Sequence, residues 1–514
     1  MTSDPSSAVT IPRWLPAIIF ASIAVIYLST LTSDYYWDGI TFALQIEKVA
    51  KAEARLGLLF HQNHLLYNAL GYLAYRSFGA VGFGVRALDL LQTANALIGA
   101  AAVVVFFRIA VRVTRSVYVA MVCAGFLAFS AAWWKISTDN NAYIASILLI
   151  LVCAGNLFGA KPRWYVAGAA LAGAMLVHQL ASLFYPAALA AVFLSRTIQH
   201  RARFAAWLSA AAWVPVIAAY YVSVYFLVGL SSPFAVVKWA VSNPSLQPVA
   251  ADPLGALLLL PKTNFDAIFG HNLALFREQG GWVEMTMALA AVVVAILSVV
   301  TAIRKVNATR AVRTLRQTAS ELSAVRKQVA VVVALWLGSY VLFLLLWGPL
   351  IYFRAFYTPA LCLVLGLILS NYHGVTGSKP SGAAALAVMA FAFLNLAFYI
   401  GPNMRANANA KVAAARNAAK AWDERTVIYF GNQNEADTAF EYFNPSTTWR
   451  RLSRASLAEL DGEIARIYNQ GGSVWLNRGA VSRVNSEWLA RHSTNQRIEI
   501  DLPNDSVLYV RVSP

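Results

Sequence analysis

The stretch DYYWDGITFALQIEKVAKAEARLGLLFHQNHLLY, residues 34–67, follows the first hydrophobic segment of the chain directly. It begins with Asp34 and Asp38 and ends near His61 and His64. An amphipathic run lies between them, with apolar residues at Ile40, Phe42, Leu44, Ile46 and Val49. A plain membrane anchor does not need this density of ionisable groups, because an unpaired charge next to hydrocarbon is costly. We therefore predict that this stretch is the active-site loop of a membrane protein.

The composition of the rest of the chain agrees with a membrane location. The chain has 514 residues, of which 59% are hydrophobic and 13% are charged, outside the range of soluble globular proteins. A helix needs about 20 apolar residues to cross a hydrocarbon core of about 30 Å. By this measure the sequence predicts a polytopic α-helical membrane protein with about eleven transmembrane helices, at 14–31, 87–107, 116–134, 142–159, 164–180, 182–195, 204–228, 284–303, 328–347, 355–370 and 382–400.

The formal charge of +17 reflects membrane topology and not nucleic-acid binding. The basic residues concentrate in alternate loops, as the positive-inside rule requires. They are Arg108, Arg112, Arg115, Lys161, Arg163, Arg196, Arg201, Arg203 and the run 304–327. We predict that these face the cytoplasm together with the N-terminus, in the inner membrane of a bacterium. The run 304–327 has helical spacing and fits a basic helix on anionic headgroups, with a regulatory site as the alternative.

The topology divides the chain into two predicted regions. Residues 1–400 form a membrane module with outer loops at 32–86 and 229–283, and its first helix is an uncleaved signal anchor. The 229–283 loop holds apolar pieces too short to span, which predicts interfacial or re-entrant helices. Residues 401–514 are richer in charge and alternate helical stretches with the strand-like runs 426–430, 473–477, 497–500 and 507–512. This pattern predicts a small soluble α/β domain on the periplasmic side. The three cysteines lie inside predicted spans, so no disulfide is expected.

Three outer segments bring polar groups to one membrane depth. Asp38 stands in the first, Lys135 and Asp139 in KISTDNNAY at 135–143, and Arg354 and Tyr357 in WGPLIYFRAFY at 347–357. Two carboxylates and a cation suit transfer of a group from a lipid phosphate. A carboxylate can take the proton of an acceptor hydroxyl, and arginine can stabilise the leaving phosphate with its planar fork.

Each of these residues also has an ordinary structural interpretation. Arg354 can snorkel to headgroups, Asp38 can cap a helix, and Asp139 lies in a DNN sequence typical of turns. His61 and His64 could bind a metal together with a carboxylate, but two histidines alone do not make a metal site. Contact with phosphate or sugar, or a plain role at the interface, is therefore favoured. We predict no required metal or other cofactor.

A further histidine stands at the predicted break between two short spans. His178 lies in AMLVHQLASLFYP, where a buried histidine is either functional or satisfied by a hydrogen bond across helices.

The segments YYWDGITFALQIEK, HQNHLLYNALGYL, WWKISTDNNAY and YFRAFYTPAL together resemble the GT-C superfamily of integral-membrane glycosyltransferases. The resemblance implies that Asp38 matches the first-loop acid that acts as general base or orients the acceptor, and Asp139 the acid often found in the second outer loop. It implies that Arg354 contacts donor phosphate. The segment 61–67 is similar to the place where relatives carry a histidine or lysine before Pro-Pro-Leu, although the prolines are absent here.

The activity that the resemblance implies is inverting transfer of a sugar from a polyprenyl-phosphate donor to a glycan, lipid or protein acceptor on the outer face. Neither a nucleotide nor a metal is required by that scheme. A transporter or flippase for a lipid-linked or polar substrate is the alternative, which would place ionisable groups at mid-membrane in repeated halves. A ligase that moves a whole oligosaccharide differs only in the size of the donor.

Overall fold

The structure is a computed structural model. It describes residues 10–159, 161–230, 232–241, 253–270, 324–347, 351–376, 382–418, 420–431, 435–453, 459–502 and 505–514. Within these residues the chain is largely helical and ends in a mixed five-stranded sheet.

The membrane part is built from apolar helices joined by short turns. Its α-helices are α1 (Leu15–Ser29), α2 (Trp37–Ala50), α3 (Tyr67–Ala80), α4 (Ala87–Thr114), α5 (Val117–Phe129), α6 (Ala131–Ser137), α7 (Tyr143–Leu157), α8 (Trp164–Val177), α9 (Tyr185–Leu194), α10 (Arg201–Ser223), α11 (Pro233–Val241), α12 (Pro253–Phe269), α13 (Ala324–Trp347), α14 (Thr358–Thr376) and α15 (Gly382–Asn395). Short 3-10 helices lie at Leu56–Leu59, Gln179–Phe184 and Ile351–Phe356, and π-helical turns extend α10 over Val224–Val228 and α15 over Leu396–Ile400.

Ten of the eleven predicted spans coincide with helices in this set. Among the described residues, four helices are long and apolar enough to cross a membrane, and α5 with α6 would make a fifth if the bent pair is one span. The others are shorter apolar helices of 10–17 residues. The predicted span at 284–303, and the run 304–327 up to residue 323, lie outside the described residues. Several apolar spans are therefore confirmed, and the full number stays a prediction.

The predicted span at 116–134 is interrupted at Ser130. The axes of α5 and α6 differ by 66°, and Ser130 between them has an extended backbone. Every residue of α6 is buried, including its charged Lys135. A lysine in such surroundings needs polar partners, and the bend directs the chain into a compact polar turn at 138–142.

The C-terminal region forms the sheet predicted from its alternating pattern. Its helices are α16 (Gly401–Met404), α17 (Ala410–Ala418), α18 (Glu435–Phe443), α19 (Leu460–Asn469), α20 (Arg478–Val481) and α21 (Ser486–His492), and its strands are β1 (Thr426–Phe430), β2 (Thr448–Arg451), β3 (Ser473–Asn477), β4 (Ser493–Leu502) and β5 (Asp505–Val512). The strand order is β2-β1-β3-β5-β4, with β1 parallel to β2 and β3 and the other pairs antiparallel. The predicted runs at 426–430 and 473–477 match β1 and β3. Strand β2 and helix α18 had no counterpart in the sequence-based prediction.

Side chains alternate between the two faces of the sheet along each strand. Both faces are covered by packed side chains. One face carries an aliphatic core with Val427, Val474 and Leu476, on which Ile464 and Ile467 of α19 pack. The other carries an aromatic cluster of Trp422, Phe440, Trp449, Trp475 and Tyr509, with ring centroids 4.9–6.2 Å apart. The region thus has its own core.

The chain divides into two compact units, and the division does not follow the sequence order alone. One unit consists of residues up to Thr32 and Lys48–Pro402, and the other of Ser33–Glu47 and Asn403–Pro514. A segment of the first outer loop, including most of α2, therefore belongs with the C-terminal sheet. The boundary predicted at residue 400 did not include this segment.

Candidate active site

The second outer turn is organised by a buried ion pair. Lys135 Nζ lies 3.1 Å from Asp139 Oδ2, and the two side chains are 1% and 0% exposed. Lys135 Nζ also donates a hydrogen bond to Thr32 Oγ1 at 3.0 Å. The other oxygen of Asp139, Oδ1, accepts from the backbone N–H of Asn140 at 2.7 Å. The pair fixes the end of α6 and the start of the turn.

Side-chain amides from α4 hold the same turn by its backbone. Asn95 Nδ2 donates to the carbonyl oxygens of Asp139 and Asn141, each at 2.8 Å. Gln92 Nε2 donates to the carbonyl oxygens of Thr138 at 2.7 Å and Thr32 at 2.8 Å. The sequence analysis did not single out Asn95 or Gln92. Two amides spaced i, i+3 in an apolar span were the available signal, since polar residues at membrane depth are rarely without a role.

The three predicted histidines lie side by side. The rings of His61 and His64 are stacked at 4.3 Å between centroids, and the rings of His64 and His178 lie 5.7 Å apart. His178 marks the break between α8 and the next 3-10 helix, as predicted, and its Nδ1 accepts from the backbone N–H of Leu180. The histidines of the first outer loop thus meet the one at the helix break.

Backbone hydrogen bonds explain how the loop reaches this break. The N–H of Gln179 donates to the carbonyl of Asn63 at 2.8 Å, and the N–H of Leu66 donates to the carbonyl of Leu176 at 2.9 Å. Tyr220 of α10 adds a bond from its hydroxyl to the carbonyl of Gln62. The polar groups left open by the broken helix are therefore partly satisfied by the loop, as an irregular backbone at membrane depth requires.

Burial keeps the imidazoles of the outer loop neutral. It lowers the pKa of His61 below the ordinary histidine value, and it lowers the pKa of His64 further, with a smaller contribution from the neighbouring histidines. A neutral imidazole can donate one hydrogen bond but adds no positive charge. Positive charge at this end of the unit must come from lysine or arginine.

Arg354 supplies such a charge from the 3-10 helix Ile351–Phe356. It is 1% exposed, and its guanidinium lies beside the Tyr357 hydroxyl and near Asp266. Tyr357 in turn donates from its hydroxyl to Asn264 Oδ1 at 2.5 Å. Asn264 and Asp266 come from α12 in the 229–283 loop, so this loop contributes to the surroundings of Arg354. The polar stretch from Lys262 to Asp266, which follows an apolar run, was the signal in the sequence for Asn264 and Asp266.

Aromatic packing joins the arginine to the histidines. The ring of Phe356 lies 5.7 Å from that of His178, and Tyr143 of α7 lies 4.8 Å from His178 and 5.9 Å from Phe353. The 3-10 helix of Arg354 also packs against α6, which carries Lys135, and against α7 and α12. The structure thus brings several of the predicted residues to one end of the membrane unit. They are Lys135, Asp139, His61, His64, His178, Arg354 and Tyr357.

Asp38 belongs to the other unit, with the C-terminal sheet. It lies in the first turn of α2 and is partly exposed. The entry to α2 is held by the N–H groups of Ser33 and Asp34, which donate to the carbonyl of Asn403 at 2.7 and 3.1 Å. The far end of the same segment is held by Glu47, whose Oε1 accepts from the Tyr442 hydroxyl at 3.2 Å. The C-terminal region therefore sets the position of the helix that carries Asp38.

Within the described part of the chain, no group of three or more His, Cys, Asp or Glu side chains is arranged to hold a metal ion. The rings of His61 and His64 are stacked, and the rings of His64 and His178 are tilted by 35°.

Comparison with known proteins gave matches in structure only. No protein-family model and no curated protein sequence matches the chain. ArnT from Cupriavidus metallidurans bound to undecaprenyl phosphate matches with a TM-score of 0.61 at 9% identity, over 97% of this chain and 98% of that one. ArnT in the apo state matches with a TM-score of 0.44 at 15% identity, over 96% and 97% of the two chains. The arabinofuranosyltransferase AftD from Mycobacteria gives 0.47 at 15% identity, over 99% of this chain and 40% of that one.

Proposed function

We propose that this protein is a lipid-phosphate-sugar-dependent glycosyltransferase. The proposal starts from its GT-C-like fold, which it shares with ArnT over nearly the whole chain. It moves a sugar from a polyprenyl-phosphate donor to a glycan, lipid or protein acceptor on the outer face of the membrane. The transfer inverts the anomeric carbon, and Asp38 acts as the general base.

One observation carries the proposal. The fold is that of a protein whose structure holds undecaprenyl phosphate, and this chain has a buried arginine at the end of its membrane unit that we assign to the outer face. Arg354 stands beside Tyr357 on a short helix between two apolar helices. Arginine matches phosphate oxygens with parallel hydrogen bonds, and burial strengthens each of them.

The proposed roles divide according to charge. Arg354 supplies positive charge to the donor phosphate, and Tyr357 a hydroxyl. Lys135, which the sequence assigns to the same phosphate, is paired with Asp139 in full burial and acts through the turn that this pair holds. His61, His64 and His178 are neutral donors or packing groups for the donor, because neutral imidazoles bind phosphate oxygen through a single hydrogen bond. Asp38 is partly exposed, as a base that receives a proton from an acceptor hydroxyl must be.

For Asp139 the geometry supports a positioning role. Its carboxylate holds Lys135 and the N–H of Asn140 in full burial, so its effect on transfer runs through the shape of the turn. That Asp139 contacts the substrate directly stays a prediction.

We further propose that transfer needs no divalent metal, since Arg354 supplies positive charge to the leaving lipid phosphate. Transfer that continues at the same rate in excess EDTA supports this. Loss of transfer in EDTA that Mn²⁺ or Mg²⁺ restores contradicts it.

The central test is transfer of radiolabelled sugar from a panel of synthetic polyprenyl-phosphate sugars, with purified protein and membrane extract as acceptor. The Asp38→Asn variant should lose transfer by about a hundredfold or more and still bind donor, because general-base catalysis contributes about 10²–10⁴-fold. Asp34→Asn, four residues earlier in the same loop, is the matched control and should transfer normally.

Two outcomes contradict the proposal. If the wild type binds no lipid-linked sugar, the transporter alternative takes its place. If Asp38→Asn transfers as fast as Asp34→Asn, the base lies elsewhere. Donors with a single sugar against donors with a whole oligosaccharide then separate a monosaccharide transferase from a ligase.

A further inference from the structure

A second polar site lies at the other end of the membrane unit, where the loop between α7 and α8 meets the end of α4. The loop and the ends of α4, α7 and α8 border an open cavity of about 260 Å³. Three cations line it: Arg112 from α4, and Lys161 and Arg163 from the loop. Helix α7 separates this cavity from Asp139, and its 15 residues span about 22 Å at a rise of about 1.5 Å per residue.

The cavity is held in shape by hydrogen bonds of its own lining. Arg112 Nη1 donates to the carbonyl of Gly155 at 2.6 Å, and Asn156 Nδ2 donates to the carbonyl of Arg163 at 2.8 Å. The first bond fixes the guanidinium of Arg112 against the end of α7. The second fixes the backbone that precedes α8. The guanidinium of Arg112 and the backbone of Arg163 are therefore each held by a hydrogen bond.

Helix α8 adds partial positive charge to the same cavity. Its N-cap, Arg163, has an extended backbone and makes no side-chain capping bond. The first intrahelical bond is donated by Ala167 to Arg163, so the N–H groups of residues 164–166 precede the hydrogen-bonded turns. Val166 lines the cavity. A helix N-terminus of this kind favours an anion, above all when cations surround it.

No acidic side chain is among the described residues that line this cavity, which distinguishes it from another basic cavity in the C-terminal unit. There Glu424 is part of the lining, and Glu463 already binds Arg450 at 2.9 Å and Arg466 at 3.0 Å. Those arginines are neutralised within the protein. The cations at the α7–α8 loop keep their charge for a ligand.

We propose that the cavity formed by Arg112, Lys161 and Arg163 binds a phosphate group, and that its ligand is an anionic phospholipid headgroup of the cytoplasmic leaflet. The three residues belong to the basic loops that the positive-inside rule assigns to the cytoplasm. Basic pockets between membrane helices on that side are suited to anionic headgroups. The site is separate from the proposed transfer reaction and does not depend on it.

The test is a titration of the delipidated full-length protein with dihexanoyl phosphatidylglycerol below its micelle concentration, followed by calorimetry. Dihexanoyl phosphatidylcholine is the zwitterionic comparison, and inorganic phosphate is the soluble one. The variant Lys161→Gln/Arg163→Gln removes two exposed cations without touching the bond from Arg112 to Gly155. The matched control is Arg196→Gln/Arg201→Gln, which removes the same charge from another basic loop on the same side.

The wild type should bind phosphatidylglycerol and not phosphatidylcholine, and the Lys161/Arg163 variant should bind about 30-fold more weakly. The control should stay within about twofold of the wild type. Competition by millimolar inorganic phosphate supports the phosphate site and assigns it to soluble phosphate, whereas binding of the lipid alone supports the headgroup.

Equal affinity of the Lys161/Arg163 variant and the wild type overturns the proposal, because the anion then binds elsewhere, such as at the outer end. An equal loss in the control pair also overturns it, because the effect would then be one of net charge.

Discussion

Arg354 and the histidines differ in charge although they lie close together. Burial removes charge from His61 and His64 by lowering their pKa, whereas a guanidinium keeps its proton at any ordinary pH. A phosphate at this end of the molecule would therefore depend on Arg354 for its main attraction. The residue types alone did not separate these roles, and burial does.

The substitution Arg354→Lys tests that dependence. The charge is retained, but the fork that binds two phosphate oxygens is lost, and a charge-assisted hydrogen bond contributes about 1.5–3 kcal/mol. We expect donor affinity to fall by about tenfold or more in an equilibrium binding assay with labelled donor. Arg55→Gln, an exposed arginine of the first outer loop, is the control. Donor affinity that is unchanged in Arg354→Lys would assign this arginine to structure.

The lowered pKa of His64 predicts a pH dependence of stability. Below about pH 6.5 the unfolded chain takes up a proton on this imidazole that the folded chain refuses. The unfolded state then binds more protons, so stability should decrease as the pH falls below that value. The measurement is the midpoint of thermal unfolding between pH 8 and pH 5.

His64→Gln removes the group and should flatten this decline. His200→Gln, which replaces an exposed histidine, should decline as the wild type does. A decline of the same slope in His64→Gln would show that other groups carry it.

At the scale of single elements, short irregular segments do most of the positioning. Helix α6 is a seven-residue element set at 66° to α5, and the 3-10 helix Gln179–Phe184 follows a complete break at His178. The 3-10 helix of Arg354 is six residues long. Hydropathy alone assigns each of these three segments to the end of a membrane span. It does not detect the breaks, because a window of about 20 residues averages over segments of this size.

The turn after α6 should fail when its ion pair is broken on one side. Asp139→Asn leaves the Lys135 ammonium buried without its counter-charge, which costs about 3–5 kcal/mol. We expect a clear drop in the thermal midpoint in detergent. The double variant Lys135→Met/Asp139→Asn should recover part of that loss, because it removes the uncompensated charge.

A double-mutant cycle separates the two contributions. If the losses of stability in Lys135→Met and Asp139→Asn add up to the loss in the double variant, this would contradict a direct interaction between Lys135 and Asp139.

At the scale of the whole molecule, the grouping of Ser33–Glu47 with Asn403–Pro514 links the proposed base to the end of the chain. The entry to α2 and its far end are both held by C-terminal residues, through Asn403 and Tyr442. The C-terminal sheet is therefore more than an appended domain. It is part of the framework that carries Asp38.

A chain that ends at Pro402 tests this link. It retains Arg354 and the histidines but loses the partners of α2, so we expect donor binding to remain and transfer to disappear. Full-length Asp38→Asn is the matched comparison and should show the same combination. Transfer by the truncated chain at the rate of the full chain would contradict the proposed dependence on the C-terminal unit.

The sequence by itself determined the class of the protein and the approximate places of its helices. Hydropathy and charge asymmetry are local properties that survive without tertiary contacts. The spans, the strands β1 and β3, and the break at His178 could therefore be predicted. The amphipathic run after Asp38 forms α2, whose Ile40, Phe42, Ile46 and Val49 are all buried.

Only the tertiary structure decided which polar groups meet. The amides of Gln92 and Asn95 reach the turn at 138–141 from a distant part of the sequence, and Asn264 reaches Tyr357 from a loop. The C-terminal partners of α2 lie more than 350 residues from it. Such pairings depend on long-range packing and on the need to satisfy each buried polar group. No pattern within a short window of sequence carries that information.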